Sequence, residues 1–148
     1  MKTSGWLIVS GLILTGMAAA QEENLTEEVR KFQGTWKVTH CQTDNADAKE
    51  SDKEIVARWK LTFTKNNFRI DGGEMKMSGT FTIQPDKKPK QINMVSDDPK
   101  EKVILEAIYE FTGETLKVRG DEARQGRPKS FEFGPRSSGF YLVLKKVK

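Results

Sequence analysis

The feature that most constrains this chain is a side-chain period of two, repeated along most of its length. Ala57, Trp59, Leu61 and Phe63 alternate with Arg58, Lys60, Thr62 and Thr64. Phe68 and Ile70 alternate with Asn67, Arg69 and Asp71, and Met75, Met77, Gly79, Phe81 and Ile83 alternate with Lys76, Ser78, Thr80 and Thr82. Successive side chains of a strand point to opposite faces, so this pattern predicts strands with one apolar and one wet face. The polar partners include β-branched threonines, which suit a pleated surface.

Turn chemistry separates the runs: Lys65-Asn66-Asn67, Asp71-Gly72-Gly73, Pro85-Asp86-Lys87 and Thr112-Gly113-Glu114. Further strands are expected at Thr35–Cys41, Gln91–Val95, Val103–Phe111, Thr115–Arg119, Ser130–Phe133 and Phe140–Lys145, about nine in all. Short strands at hairpin spacing without crossover helices predict an antiparallel meander. A meander this long is expected to hide its edges by closing into a barrel of about eight or nine strands. The fold class is therefore all-β.

One short helix stands before the strands. Asn24 can cap it, Glu27 lies three residues on, and Leu25, Val29 and Phe32 share an apolar face. The segment Asp44 to Lys53 is polar and reads as a loop or a helical turn. Ahead of the helix, Lys2, the apolar run Trp6–Leu14 and Ala18-Ala19-Ala20 have the layout of a cleaved export signal. The apolar run ends by Met17, short of the roughly 20 residues of a spanning helix. The expected organisation is a signal peptide at 1–20, a helical cap at 21–31 and a barrel domain at 32–148. The product is exported, periplasmic or secreted, with no membrane span after cleavage.

Composition narrows the chemistry. One Cys and one His in 148 residues exclude a disulfide framework within the chain, Cys-based zinc or iron–sulfur sites and HExxH hydrolases. The net charge of +4 is spread among interspersed acids, as in Lys49-Glu50-Ser51-Asp52-Lys53-Glu54, and does not predict nucleic-acid binding. No metal site and no cofactor are expected.

Gly34-Thr35-Trp36, just after the helix and opening the first strand, resembles the Gly-x-Trp arrangement of lipocalin-like barrels. Phe32–Val38, Leu61–Thr64, Gly79–Ile83, Lys88–Ile92, Ile108–Val118, Arg127-Pro128 with Phe131, and Leu142–Lys145 resemble an uncharacterised exported domain family abundant in planctomycete bacteria. The resemblance implies a lipocalin-like barrel in which Gly34 and Trp36 close one end, and it implies no activity. Lipocalins usually cover that tryptophan with an Arg from the last strand region. Here the last strand offers Lys145 and Lys146, with Arg124 and Arg136 in the preceding loops, and a Lys can cover the indole by a cation–π contact.

If Trp36 points inward, strict alternation brings Val38 and His40 to the barrel wall and sends Cys41 outside. His40 and Cys41 then cannot share a metal or form a nucleophilic dyad. Glu106 and Glu110 share the face opposite Tyr109 and are expected to face solvent. The expected interior includes Trp59, Met75, Met77, Tyr109, Phe131 and Phe133, which either pack solid or line a pocket. The candidate ligand-contacting residues are His40, Trp59, Met75, Met77, Tyr109 and Phe131.

With no nucleophile–base pair or metal site to assemble, the chain reads as a non-enzyme. The first expectation is an exported binding module holding a small hydrophobic molecule in its barrel. The alternative is an envelope interaction or structural domain with a filled barrel, whose partner is another envelope protein.

Overall fold

The computed structural model describes residues 26–43, 54–121, 126–133 and 139–148. The expected export signal, the cap residues Asn24 and Leu25, the segment Asp44–Lys53, Arg124 and Arg136 lie outside the described residues. A short helix, α1 (26–32), precedes eight strands: β1 (Gly34–Thr43), β2 (Lys60–Thr64), β3 (Asn67–Gly72), β4 (Met75–Gln84), β5 (Lys90–Ser96), β6 (Ile104–Thr112), β7 (Thr115–Gly120) and β8 (Phe140–Lys146). Each strand pairs antiparallel with the next, and β8 returns to pair with β1, closing the barrel. The protein is an all-β, up-and-down barrel of lipocalin-like architecture. Closure pairs every strand with two neighbours, although the β1–β2 ladder stops at Lys37–Lys60 and the far half of β1 is paired with β8 alone.

Alternate connections of such a barrel gather at the same end. The β2–β3, β4–β5 and β6–β7 turns lie at the end where β1 begins and β8 finishes, and α1 leads into β1 there. Gln33, between α1 and β1, fixes this arrangement. Its amide donates to the Lys65 carbonyl at 2.9 Å and accepts from the Lys65 N–H at 2.6 Å, clamping the β2–β3 turn. The far end carries the chain leaving β1, the β3–β4 turn, the β5–β6 loop and the β7–β8 connection.

Alternation sets the core as the sequence predicts. Leu61 and Phe63, Phe68, Phe81 and Ile83, Ile92 and Met94, Ala107 and Tyr109, Leu116 and Val118, and Leu142 and Leu144 are buried inside. Phe32 reaches in from α1 and is fully buried, with ring centroids 4.8–5.5 Å from Phe63, Phe81, Tyr109 and Phe111. Edge-on contacts of this kind fill space and add to the area term. The helix end of the barrel is thus packed solid.

Three expectations need correction. The Ala57–Phe63 alternation is strand only from Lys60; Ala57 and Arg58 form an exposed turn after one helical turn at 54–56. Strand Ser130–Phe133 does not form, because β8 closes on β1 and leaves no ladder for a ninth strand. Residues 126–133 instead cross the outer face as an irregular strap, so Phe131 and Phe133 lie outside the barrel.

The third correction concerns β1. Val38 pairs with Leu144 and His40 with Val143, so Thr39 is an extra residue, a β-bulge. A one-residue slip reverses the facing of everything beyond it. His40 is therefore exposed on the outer wall, and Cys41 packs against the core.

Candidate functional site

The helix end is organised around Trp36. Gly34 carries a φ of 111°, a conformation open to glycine, and a Cβ there would meet Lys146 Cε at 3.1 Å. The Lys146 ammonium lies 5.4 Å from the Trp36 ring centroid, so a lysine covers the indole. The indole N–H donates to the Phe32 carbonyl at 2.6 Å. These contacts plug the barrel and leave Trp36 only 2% exposed.

Beside the plug, α1 buries a carboxylate. Glu28 accepts from Lys31 and Lys90, both at 2.8 Å, and from the Tyr109 hydroxyl at 3.2 Å. Burial pushes the Glu28 carboxyl up, but the hydrogen bonds and charges of the two lysines outweigh it and hold the group below its ordinary range. Tyr109 is shifted upward by burial and then by the Glu28 charge, so it stays a neutral donor. Tyr109, expected on a ligand wall, is a structural anchor. A surface hollow of about 320 Å³ lies outside this network, lined by Glu27, Glu28, Lys31, Pro85 and Asp86. Its lining of three carboxylates, a lysine and a proline is charged at four of five positions, which disfavours a hydrophobic guest.

The outer face carries His40. Its ring stands 6.3 Å from Tyr141, which stands 6.2 Å from Phe131 of the strap. Two arginines hold the strap. Arg119, only 3% exposed, donates to the carbonyls of Ser130, at 2.6 Å, and Glu132, and lies 4.5 Å from the Phe133 ring centroid. Arg127 donates to the Ala107 carbonyl at 2.7 Å, the Ile92 carbonyl at 3.2 Å and the Asn93 side chain. Ile108, outward on β6 between these anchors, is fully buried. His40 and Phe131 are therefore remote from the interior, and the expected ligand set is split.

What the structure does bring together is Trp59, Met75 and Met77. Leu61 pairs with Ile70 and Ile70 with Met77, while Gly72 pairs with Met75. Trp59, one position before β2, faces inward at the far end, and its indole lies against Gly72, where any Cβ would collide with it. Trp59, Ile70 and Met77 pack on the core but stay half-buried, as does Met75 at the rim. Cys41, Leu105 and Phe140 complete this apolar end. The Trp59 Nε1 and the Thr43 Oγ1 are buried there without a hydrogen-bond partner among the described residues.

Glu106 and Glu110 are both exposed on the outer face, as expected. Among the described residues, no three His, Cys, Asp or Glu side chains gather as metal ligands do. Glu28, Lys90, Arg119 and Arg127 were not anticipated as organising groups. For Glu28 a signal existed: it lies four residues before Phe32 on the helix stripe that faces the barrel.

Comparison with known proteins finds no matching family model, no similar curated protein and no similar solved structure.

Proposed function

We propose that the protein is a binding module that holds a small hydrophobic molecule at the far end of its barrel, on the wall of Trp59, Met75 and Met77. The observation that carries this reading is the contrast between the two ends. At the helix end Phe32 fills the interior. At the far end an indole and two thioethers remain half-buried. Methionines supply adaptable, polarizable contact, which suits an apolar guest. The site lies at the mouth, not deep in the barrel. The sole His of the chain stands on the outer wall, and the exposed Glu106 and Glu110 each face a cation, Arg127 and Lys117, which favours binding over catalysis. The sequence layout at 1–20 favours an exported protein working in the periplasm or outside the cell.

Titration with the neutral fluorophore N-phenyl-1-naphthylamine tests this reading. Saturable enhancement of its emission, abolished by Met77→Glu in a variant with an unchanged circular dichroism spectrum, is the expected result. No saturable binding to the parent protein overturns it.

A second reading has its own support. Ile55 and Ile104 are 50% and 53% exposed on opposite sides of the far end. Apolar side chains there suit an envelope protein partner of a filled barrel. Co-purification of one stoichiometric protein, lost on Ile104→Lys, favours this second reading.

A further inference from the structure

The wet wall of the barrel arranges its charges in two ways. Between β6 and β7, Glu110 stands opposite Lys117, and the two form an ion pair at 3.7 Å. Across β8, β1 and β2 the register does the reverse. Lys145 pairs with Lys37 and Lys37 with Lys60, so three exposed lysines stand in one row over three strands. Directly opposite residues of an antiparallel pair have Cα atoms only about 4.5–5.5 Å apart. Like charges so placed repel and destabilise the sheet. Among the described residues, no carboxylate forms an ion pair with any of the three.

The row continues onto β3 and β4, where Lys60 pairs with Asp71 and Asp71 with Lys76. Asp71 is committed to its own hairpin turn, where its Oδ1 accepts from the Gly73 N–H at 3.2 Å. The neighbouring row towards the helix end carries Thr35, Thr62 and Arg69, which adds hydroxyls and a further cation but no carboxylate. This face therefore concentrates positive charge without compensation, while the β6–β7 face balances its own.

Curvature narrows the partner. β8, β1, β2, β3 and β4 are successive neighbours in a closed barrel of eight strands, so the row bends around half of the wall. A flat anionic surface meets only part of such a row, whereas a flexible chain follows it. Single-stranded nucleic acid draws on aromatic platforms for its bases. The side chains beside these lysines are threonines, which offer hydroxyls and no rings.

We propose that the outer face of β8, β1 and β2 binds an acidic polysaccharide, a flexible chain with one carboxylate on each sugar unit. Its sugar units repeat at roughly the 5 Å spacing of neighbouring strands, so Lys145, Lys37 and Lys60 each meet one carboxylate. Thr35 and Thr62 border the chain and hydrogen-bond its hydroxyls. The carboxylates supply the counter-charge that the sheet lacks, and salt weakens the contact. This surface is independent of the ligand site at the barrel mouth.

Equilibrium binding to polygalacturonate tests the proposal on the parent protein and two triple variants. The row variant is Lys37→Gln/Lys60→Gln/Lys145→Gln. The control, Lys87→Gln/Lys100→Gln/Lys102→Gln, loses the same charge at exposed positions elsewhere. The expected result is saturable, salt-sensitive binding by the parent, weakened about tenfold or more in the row variant and less than about threefold in the control. The row variant should melt no lower than the parent, because its like-charge contacts are gone, so the loss of binding is not a loss of fold. Equal losses in the two variants reduce the effect to net charge and overturn the assigned row. Tighter binding of oligothymidylate, poly-L-glutamate or anionic vesicles than of polygalacturonate, at matched charge, overturns the polysaccharide class. No binding of polygalacturonate to the parent at low salt overturns the proposal outright.

Discussion

Trp36 and Phe32 are joined by a 2.6 Å hydrogen bond from the indole N–H to the helix carbonyl, so the first strand and α1 are one unit. The bond satisfies one of the carbonyls that a helix leaves free at its C-terminus. It also directs the Phe32 ring into the barrel, where four aromatic neighbours receive it. The short helix thereby becomes the floor of the core.

Removing that floor is the most damaging single change expected. Phe32→Ala deletes a fully buried ring from a rigid cluster and should cost about 3–5 kcal/mol, read as a lower urea midpoint. Phe32→Leu, which keeps most of the apolar volume, should cost clearly less. Equal losses for the two variants would contradict the role of ring packing.

Glu28 gives the helix an acid-sensitive attachment. Its folded value lies below the ordinary value of 4.5, so the charged form favours the folded state. That stabilisation is present above the unfolded value and is lost as pH falls through the folded value. Glu28→Gln should flatten the acid limb of stability and cost about 1–2 kcal/mol at neutral pH. The figure is below that of a fully buried pair because Lys31 and Lys90 are partly exposed. A variant with the parent's pH profile would show that the contact does not contribute.

The strap depends on its arginines. Arg119→Met removes the donor to the Ser130 carbonyl and leaves the Glu132 carbonyl only the long 3.5 Å contact from the Ser130 hydroxyl. Amide hydrogen exchange at 126–133 should rise at least tenfold while β1–β6 stay protected. Unchanged exchange would show that the strap is held by packing alone.

The bulge at Thr39 makes an opposite pair of expectations for adjacent residues. His40→Ala should change stability by less than about 0.5 kcal/mol, as surface substitutions do. Cys41→Asp places a charge against the core and should cost several kcal/mol. Deleting Thr39 removes the extra residue and leaves a regular β1–β8 ladder with His40 still outside and Cys41 still inside, so urea denaturation of that variant should show a smaller loss than Cys41→Asp.

The barrel was legible because its strands obey the period of two wherever one face is wet, as Phe81 and Ile83 do against Thr80 and Thr82. The lysine cover of Trp36 came from the lipocalin resemblance, which left Lys145 and Lys146 both open, and it is Lys146 that covers the indole. The bulge was not legible, because Thr39 is an ordinary β-branched strand residue and only the register of β8 shows that it is extra. His40 and Cys41 were therefore placed on the wrong faces. Phe131 and Phe133 alternate like a strand, yet their apolar face covers the outside of β7 and β8. A pattern reports which side is buried and is silent on what buries it. The Trp59, Met75 and Met77 wall was readable, since it needs only alternation and hairpin register. Its separation from Tyr109 required the three-dimensional arrangement of the two ends.

The most direct test is native against denaturing mass spectrometry on the protein recovered from its own source. The account predicts extra mass in the native spectrum that disappears on denaturation, belonging to a small hydrophobic compound, and absent from Met77→Glu recovered in the same way. A bare native mass from that source would contradict it.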